Sequence, residues 1–117
     1  MRIGELARRT GVNQRLLRYY EEQSLLRPVR RPSGYREYGD ADVGRVRRIR
    51  TLLAAGLNTT TIADVLPCTV DTGGGLAAAC PALLIDLQRE RDRISRSITE
   101  LHTAGTMLDA IIEATPR

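Results

Sequence analysis

The chain has 117 residues, enough for one ordinary domain or a small domain with an appendage. Its 18 basic residues stand against 14 acids, for a net charge of +4. No apolar run approaches the roughly 20 residues of a membrane span, two Cys do not make a disulfide scaffold, and a 42% hydrophobic content excludes a disordered chain.

The charge is unevenly spread. Residues 1–50 hold 13 Arg and 6 acids, a net of +7; residues 51–117 hold 5 Arg and 8 acids, a net of −3. There is no Lys, and all four Tyr fall in the first 38 residues. A basic, tyrosine-bearing front half predicts an anionic partner, and Arg suits phosphate and guanine better than Lys does. The start has no apolar stretch of a secretory signal, which predicts a cytoplasmic chain with free thiols. With neither Trp nor Phe present, the core must be built mainly from Leu, Ile, Val and Ala.

From Ile3 to Thr10 the spacing predicts a short helix, with Ile3, Leu6 and Ala7 on one face and Gly11 as its stop. Asn13 is a good N-cap for a second helix to about Gln23. That helix is expected to turn Leu16, Leu17 and Tyr20 inward and to leave Gln14, Arg15, Arg18, Tyr19 and Glu22 outward. Two short helices joined by a glycine-bearing turn make a helix-turn-helix pattern. Pro32-Ser33-Gly34 lies between two short extended runs and reads as a hairpin turn. Pro28 and Pro32 place that hairpin at an edge, which after a helix-turn-helix makes it a wing. Asp40 is expected to cap a third helix to about Ala55, with Val43, Val46, Ile49 and Leu53 inward. Asn58 or Thr59 caps a short fourth helix, stopped by Pro67.

Residues 68–80 contain three consecutive Gly and read as a linker. Pro81 suits the first position of a last helix reaching about Ala114. Leu84, Leu87, Ile94, Ile98, Leu101, Leu108 and Ile112 follow one another at spacings of 3, 7, 4, 3, 7 and 4, a heptad seam broken only by Arg91 and Gly105. A helix this long cannot bury such a stripe against the upstream domain, so the pattern predicts a homodimeric coiled coil. The expected architecture is mainly α. A winged helix-turn-helix domain over 1–67 is followed by a Gly-rich linker over 68–80 and a dimerisation helix over 81–117.

No catalytic constellation is present. His102 stands alone on the last helix, and the Gly73–Gly75 run is expected to follow no strand and has no Lys after it, so it does not read as a phosphate loop. The second helix instead brings Gln14, Arg15 and Arg18 to its first turns, where a helix in the major groove meets base edges. Arg pairs bidentately with guanine and Gln with adenine. Tyr19 and the wing residues Tyr35, Arg36 and Tyr38 are expected on phosphates. Cys68 and Cys80 admit three readings: structural thiols, a reversible redox pair, or part of a metal site. No metal ligand set is assigned, because two thiols fall short of the four ligands of a structural zinc site.

Several linked motifs carry a family resemblance: Ile3-Gly4-Glu5-Leu6-Ala7, Thr10-Gly11-Val12, Leu17-Arg18-Tyr19-Tyr20-Glu21-Glu22, Gly34-Tyr35-Arg36-Glu37-Tyr38, and Ile49 to Val65 with Gly56 and Ile62. In order and spacing they resemble the MerR family of transcription regulators, tightly over 1–67 and in architecture over 81–114. The resemblance implies an antiparallel coiled-coil dimer on a near-palindromic operator in double-stranded promoter DNA. It also implies an activator that bends and untwists an overlong promoter spacer so that RNA polymerase can engage. By position, Arg15 would read a base, and Arg18, Tyr19, Tyr35, Arg36 and Tyr38 would contact backbone or adjacent bases. Metal-sensing members carry thiols at the start of the long helix and in a loop after it; here Cys80 stands at the helix start and no Cys follows it. The effector and any cofactor are therefore unassigned. Two other functions fit the residues: a thiol- or ligand-sensing interaction module, and an architectural DNA-binding protein without direct transcriptional activation.

Overall fold

A computed structural model describes all residues, 1–117, and divides them into two compact units, Met1–Cys80 and Pro81–Arg117. The first unit opens with α1 (Ile3–Thr10) and α2 (Gln14–Glu22). Gly11 ends α1 with φ of +72°, a left-handed conformation natural to glycine, and its N–H donates to the Ala7 carbonyl. The Asn13 side chain then accepts from the Leu16 N–H at 2.8 Å and starts α2. The wing pairs β1 (Val29–Arg30) with β2 (Arg36–Glu37) in antiparallel register, Val29 opposite Glu37 and Arg30 opposite Arg36. Its turn is closed by the Gly34 N–H on the Arg31 carbonyl at 2.8 Å, with Gly34 at φ of +86°.

Helix α3 (Ala41–Ala54) and α4 (Thr59–Val65) complete the helical part. Asp40 does not cap α3 as expected; its carboxylate takes Arg9 at 2.8 Å, and the Asp42 side chain accepts from the Gly39 N–H instead. Asn58 does cap α4, accepting from the Thr61 N–H at 2.9 Å. The inner face of α3 is Val46, Ile49 and Leu52, with Val43 and Leu53 half-buried beside it. These close on Leu6, Leu17, Leu25, Leu26 and Ile62, an aliphatic core completed by two phenols, Tyr20 and Tyr38.

Burial pushes both phenols up from their ordinary value of 10.0, for Tyr38 with added repulsion from Glu21. Their contribution to stability is therefore complete below the unfolded value and is lost as pH rises through the higher folded values. The melting temperature is expected to hold to about pH 9 and to fall as pH rises through about 10 and beyond, as these phenols are forced to ionise. Tyr38→Phe is expected to flatten that fall at little cost at neutral pH, because the buried Tyr38 hydroxyl has no protein partner to lose. Melts of the two chains across this range check it, and an equally steep fall in the variant would contradict it.

Residues 68–80 are not a linker. After a 3-10 turn (Leu66–Cys68), β3 (Thr69–Asp71) pairs antiparallel with β4 (Leu76–Ala78), Val70 opposite Ala77, and a disulfide joins Cys68 to Cys80 with their Cα atoms 5.2 Å apart. The glycines make the turn of this hairpin, where Gly73 takes φ of +89° and the Thr72 N–H donates to the Gly75 carbonyl. Three glycines thus marked a tight reversal between short strands, and the strands were too short to announce themselves.

The second unit is α5 (Pro81–Ala114), 34 residues, or about 50 Å at 1.5 Å per residue. Leu84, Ile94, Ile98, Leu101, Leu108 and Ile112 of the heptad seam are exposed, Leu101 by 72%. The helix therefore carries an exposed apolar stripe. No helix is long and apolar enough to cross a membrane.

Candidate nucleic-acid interface

Helix α2 is anchored through Leu17 and Tyr20, 0% and 1% exposed. That anchoring turns the other side outward, and Gln14, Arg15, Arg18 and Tyr19 are all exposed, as a helix presented to a groove requires. Leu16, expected inside, is 37% exposed and lies among these polar groups on a shallow surface with Arg15, Arg18 and Tyr19. Leu17 and Tyr20 set the buried face, and Leu16, about 100° round the helix from Leu17, falls at its edge.

The wing extends this surface. Tyr35 is 55% exposed, and the Arg2 guanidinium stacks over its ring at 4.0 Å from the centroid. Arg2, Gly4, Arg18, Gly34, Tyr35 and Arg36 line one open basin, so the start of α1, the recognition helix and the wing tip converge with three cations. Arg2 is not among the residues that the sequence pattern singles out. Its only sequence signal is its position immediately before a helix start.

Arg36 has a more specific partner than phosphate. Its Nε lies 2.9 and 2.8 Å from the two carboxylate oxygens of Glu21 on α2, and this hydrogen-bonded pairing raises its already high basicity. The pair ties the wing to the recognition helix, while Arg30 stands 4.0 Å from the same Glu21. Arg31 is paired with Glu37 across the wing.

Tyr38 corrects the expected contact set. It is 2% exposed and belongs to the core, with its backbone N–H donating to the Met1 carbonyl at 2.7 Å. Alternation along a strand explains this: positions 35 and 38 differ by an odd number and face opposite sides. Tyr35 therefore points outward and Tyr38 inward. Buried in this way, the Tyr38 ring is not presented on the surface with Arg15, Arg18 and Tyr35.

Cys68 and Cys80, for which the sequence leaves structural thiols, a redox pair and a metal site open, are bonded to each other, so neither sulfur is a thiolate in this form. No group of three or more His, Cys, Asp or Glu side chains is placed to hold a metal ion.

Comparison with known proteins supports this geometry. Residues 1–68 match the model for the MerR HTH family of regulatory proteins. The chain is 33% identical over 114 residues to an uncharacterized HTH-type transcriptional regulator of Pseudomonas aeruginosa, covering 97% of this chain and 83% of that one. It is 32% identical over 113 residues to the mercuric resistance operon regulatory protein of Serratia marcescens, covering 96% and 74%. A crystal structure assigned to the MerR family of transcriptional regulators, from Listeria monocytogenes, superimposes with a TM-score of 0.61 at 26% identity, covering 97% of this chain and 83% of that one. With a recognition helix, a wing and a long terminal helix in this order, and with relatives matched along nearly its whole length, the chain belongs to the MerR family of DNA-binding transcription regulators.

Proposed function

We propose that the protein acts in the cytoplasm as a homodimer, binds a near-palindromic operator in promoter DNA through Gln14, Arg15, Arg18, Tyr19 and Tyr35, and activates transcription by distorting an overlong promoter spacer for RNA polymerase. The observation that carries this reading is the pairing of two features on one chain. One is an outward-facing Arg- and Tyr-bearing helix braced to a wing; the other is a 34-residue helix whose heptad seam is exposed. The first needs an anionic groove, and the second needs an identical partner. Two recognition helices joined by a coiled coil read two half-sites, and the extra contacts offset a bending cost of order 1–6 kcal/mol. Residues 1–80, hairpin included, would form the DNA-contacting unit and residues 81–117 the pairing helix.

The test is a titration by fluorescence anisotropy of a duplex spanning the promoter of the protein's own operon, repeated at several salt concentrations. Binding is expected to be specific and to weaken steeply with salt, since each neutralised phosphate releases counterions and six to ten such contacts cost about 10³–10⁵ in affinity between roughly 50 and 200 mM. A flat salt dependence, or no preference over an unrelated duplex, would sink the reading. Several relatives are named for heavy metals or mercury. In this chain the only two sulfurs of that kind are joined to each other, which leads to a different effector chemistry.

A further inference from the structure

The two strands of the β3–β4 hairpin are held in unequal ways. Strand β3 is fixed to α3 by side chains. Arg47 Nη1 donates to Asp71 Oδ2 at 3.1 Å and to the Gly73 carbonyl at 3.4 Å. Arg48 Nη1 donates at 2.9 Å to both the carbonyl and the hydroxyl of Thr69, which is buried. The Thr69 hydroxyl in turn donates to the Leu66 carbonyl at 2.7 Å. Gly44 of α3 admits the close approach, since a Cβ there would lie 2.8 Å from Asp71 Oδ2. Strand β4 has no such anchors. Beyond half-buried Leu76, which packs against the core at its start, it depends on its short ladder with β3, on the Ala79 N–H donating to the Cys68 carbonyl at 2.6 Å, and on the disulfide. The residue after Cys80 is the first of α5. The sulfur bridge is thus the one covalent shortcut between the anchored end of the hairpin and the root of the pairing helix.

We propose that Cys68 and Cys80 form a reversible thiol–disulfide switch, set by peroxide and by cellular dithiols, that fixes or frees β4 and thereby tunes operator affinity. The inference rests on the DNA-binding reading above. The Cys80 thiolate attacks one peroxide oxygen and the O–O bond breaks, leaving a sulfenic acid and hydroxide. The Cys68 sulfur then attacks Cys80 Sγ, forming the S–S bond and displacing the second oxygen. In sum, two thiols give up two electrons and two protons, and one peroxide becomes two waters. In reduction, a dithiol attacks Cys68 Sγ and expels the Cys80 thiolate; its second thiol then resolves the mixed disulfide, leaving two protein thiols and one oxidised dithiol. Cys80 stands at the N-terminus of α5, where unpaired backbone N–H groups and the helix dipole favour the departing negative charge. The bridged form binds operator more tightly, because a dimer must place two winged helices at a fixed spacing and a constrained tether loses less freedom in doing so.

The full-length protein is equilibrated with excess dithiothreitol or with hydrogen peroxide. Intact mass verifies each state by the two hydrogens that separate them. Two quantities are then read: amide hydrogen exchange across Leu76–Ala78, and affinity for the promoter duplex used above. The dithiol form is expected to exchange these amides roughly tenfold faster or more and to bind the duplex roughly fivefold or more weakly. The Cys68→Ser/Cys80→Ser double variant is expected to match the dithiol form and to ignore both reagents. Equal exchange in the two forms, a bridge that dithiothreitol cannot open in the folded protein, or equal or weaker binding by the bridged form overturns the switch. Absence of DNA binding in every form, with the exchange difference intact, marks failure of the DNA-binding reading and removes the affinity coupling with it.

Discussion

Replacing Leu17 by alanine is expected to cost about 2–5 kcal/mol of folding stability and to abolish operator binding near the resulting melting point. Leu17 is fully buried at the centre of α2 and packs into a core that has no Phe or Trp to spare. Its removal deletes three carbons, and the cavity collapses poorly because Leu6, Val46 and Ile49 of the same core are fixed on two other helices, α1 and α3. A unit of this size is held by about 5–15 kcal/mol in total, so the loss is a large share of the whole. The effect reaches function directly, since the same helix carries Arg15 and Arg18 on its other face. Leu16→Ala is the matched control. The side chain is 37% exposed, and its loss should cost clearly less, within about 1 kcal/mol. Urea titrations of the two variants settle the comparison. Equal costs, or a Leu17→Ala cost under about 1 kcal/mol, would contradict the packing described.

The second large effect is expected at Arg15. Changing it to alanine should weaken operator binding by about 1–3 kcal/mol and broaden the base preference at one position of each half-site. Arg15 lies in the first turn of α2, exposed, on the side opposite the buried Leu17 and Tyr20. Stability should be unchanged, because the side chain is solvated in the free protein, and this separates its effect from that of Leu17. Binding to duplexes with each base pair exchanged in turn provides the measurement. Uniform weakening across all sequences would reassign Arg15 to phosphate contact, and no weakening would remove it from the interface.

Most of the helices were legible because their signals are local. Asn13 and Asn58 sit where their side chains meet the N–H three residues on, and Gly11 stands where a helix must turn left-handed. The heptad seam of α5 could be read by counting alone, and the helix runs from Pro81 to Ala114 as the pattern indicated. The exposed set Gln14, Arg15, Arg18 and Tyr19 followed from the same periodicity once Leu17 and Tyr20 were taken as the buried pair. Which of two adjacent leucines would be buried was not legible, because periodicity cannot resolve neighbours at 100° apart when both are apolar.

By itself, then, the sequence determined the order of helices, the wing turn, the charge division between the two halves and the uncovered stripe of α5, since each depends on residues within a few positions of one another. Tertiary structure alone decided that Tyr38 lies in the core, that Arg36 spends its guanidinium on Glu21, that Arg47 and Arg48 hold a hairpin where a linker was expected, and that Cys68 meets Cys80. The partners in these contacts stand 15, 24, 21 and 12 residues apart for the Arg36–Glu21, Arg47–Asp71, Arg48–Thr69 and Cys68–Cys80 pairs. No local propensity encodes such pairs. Their formation depends on the closure of the core, which brings α3 against β3 and the wing against α2, and only then does each buried or half-buried charge find the group that compensates it.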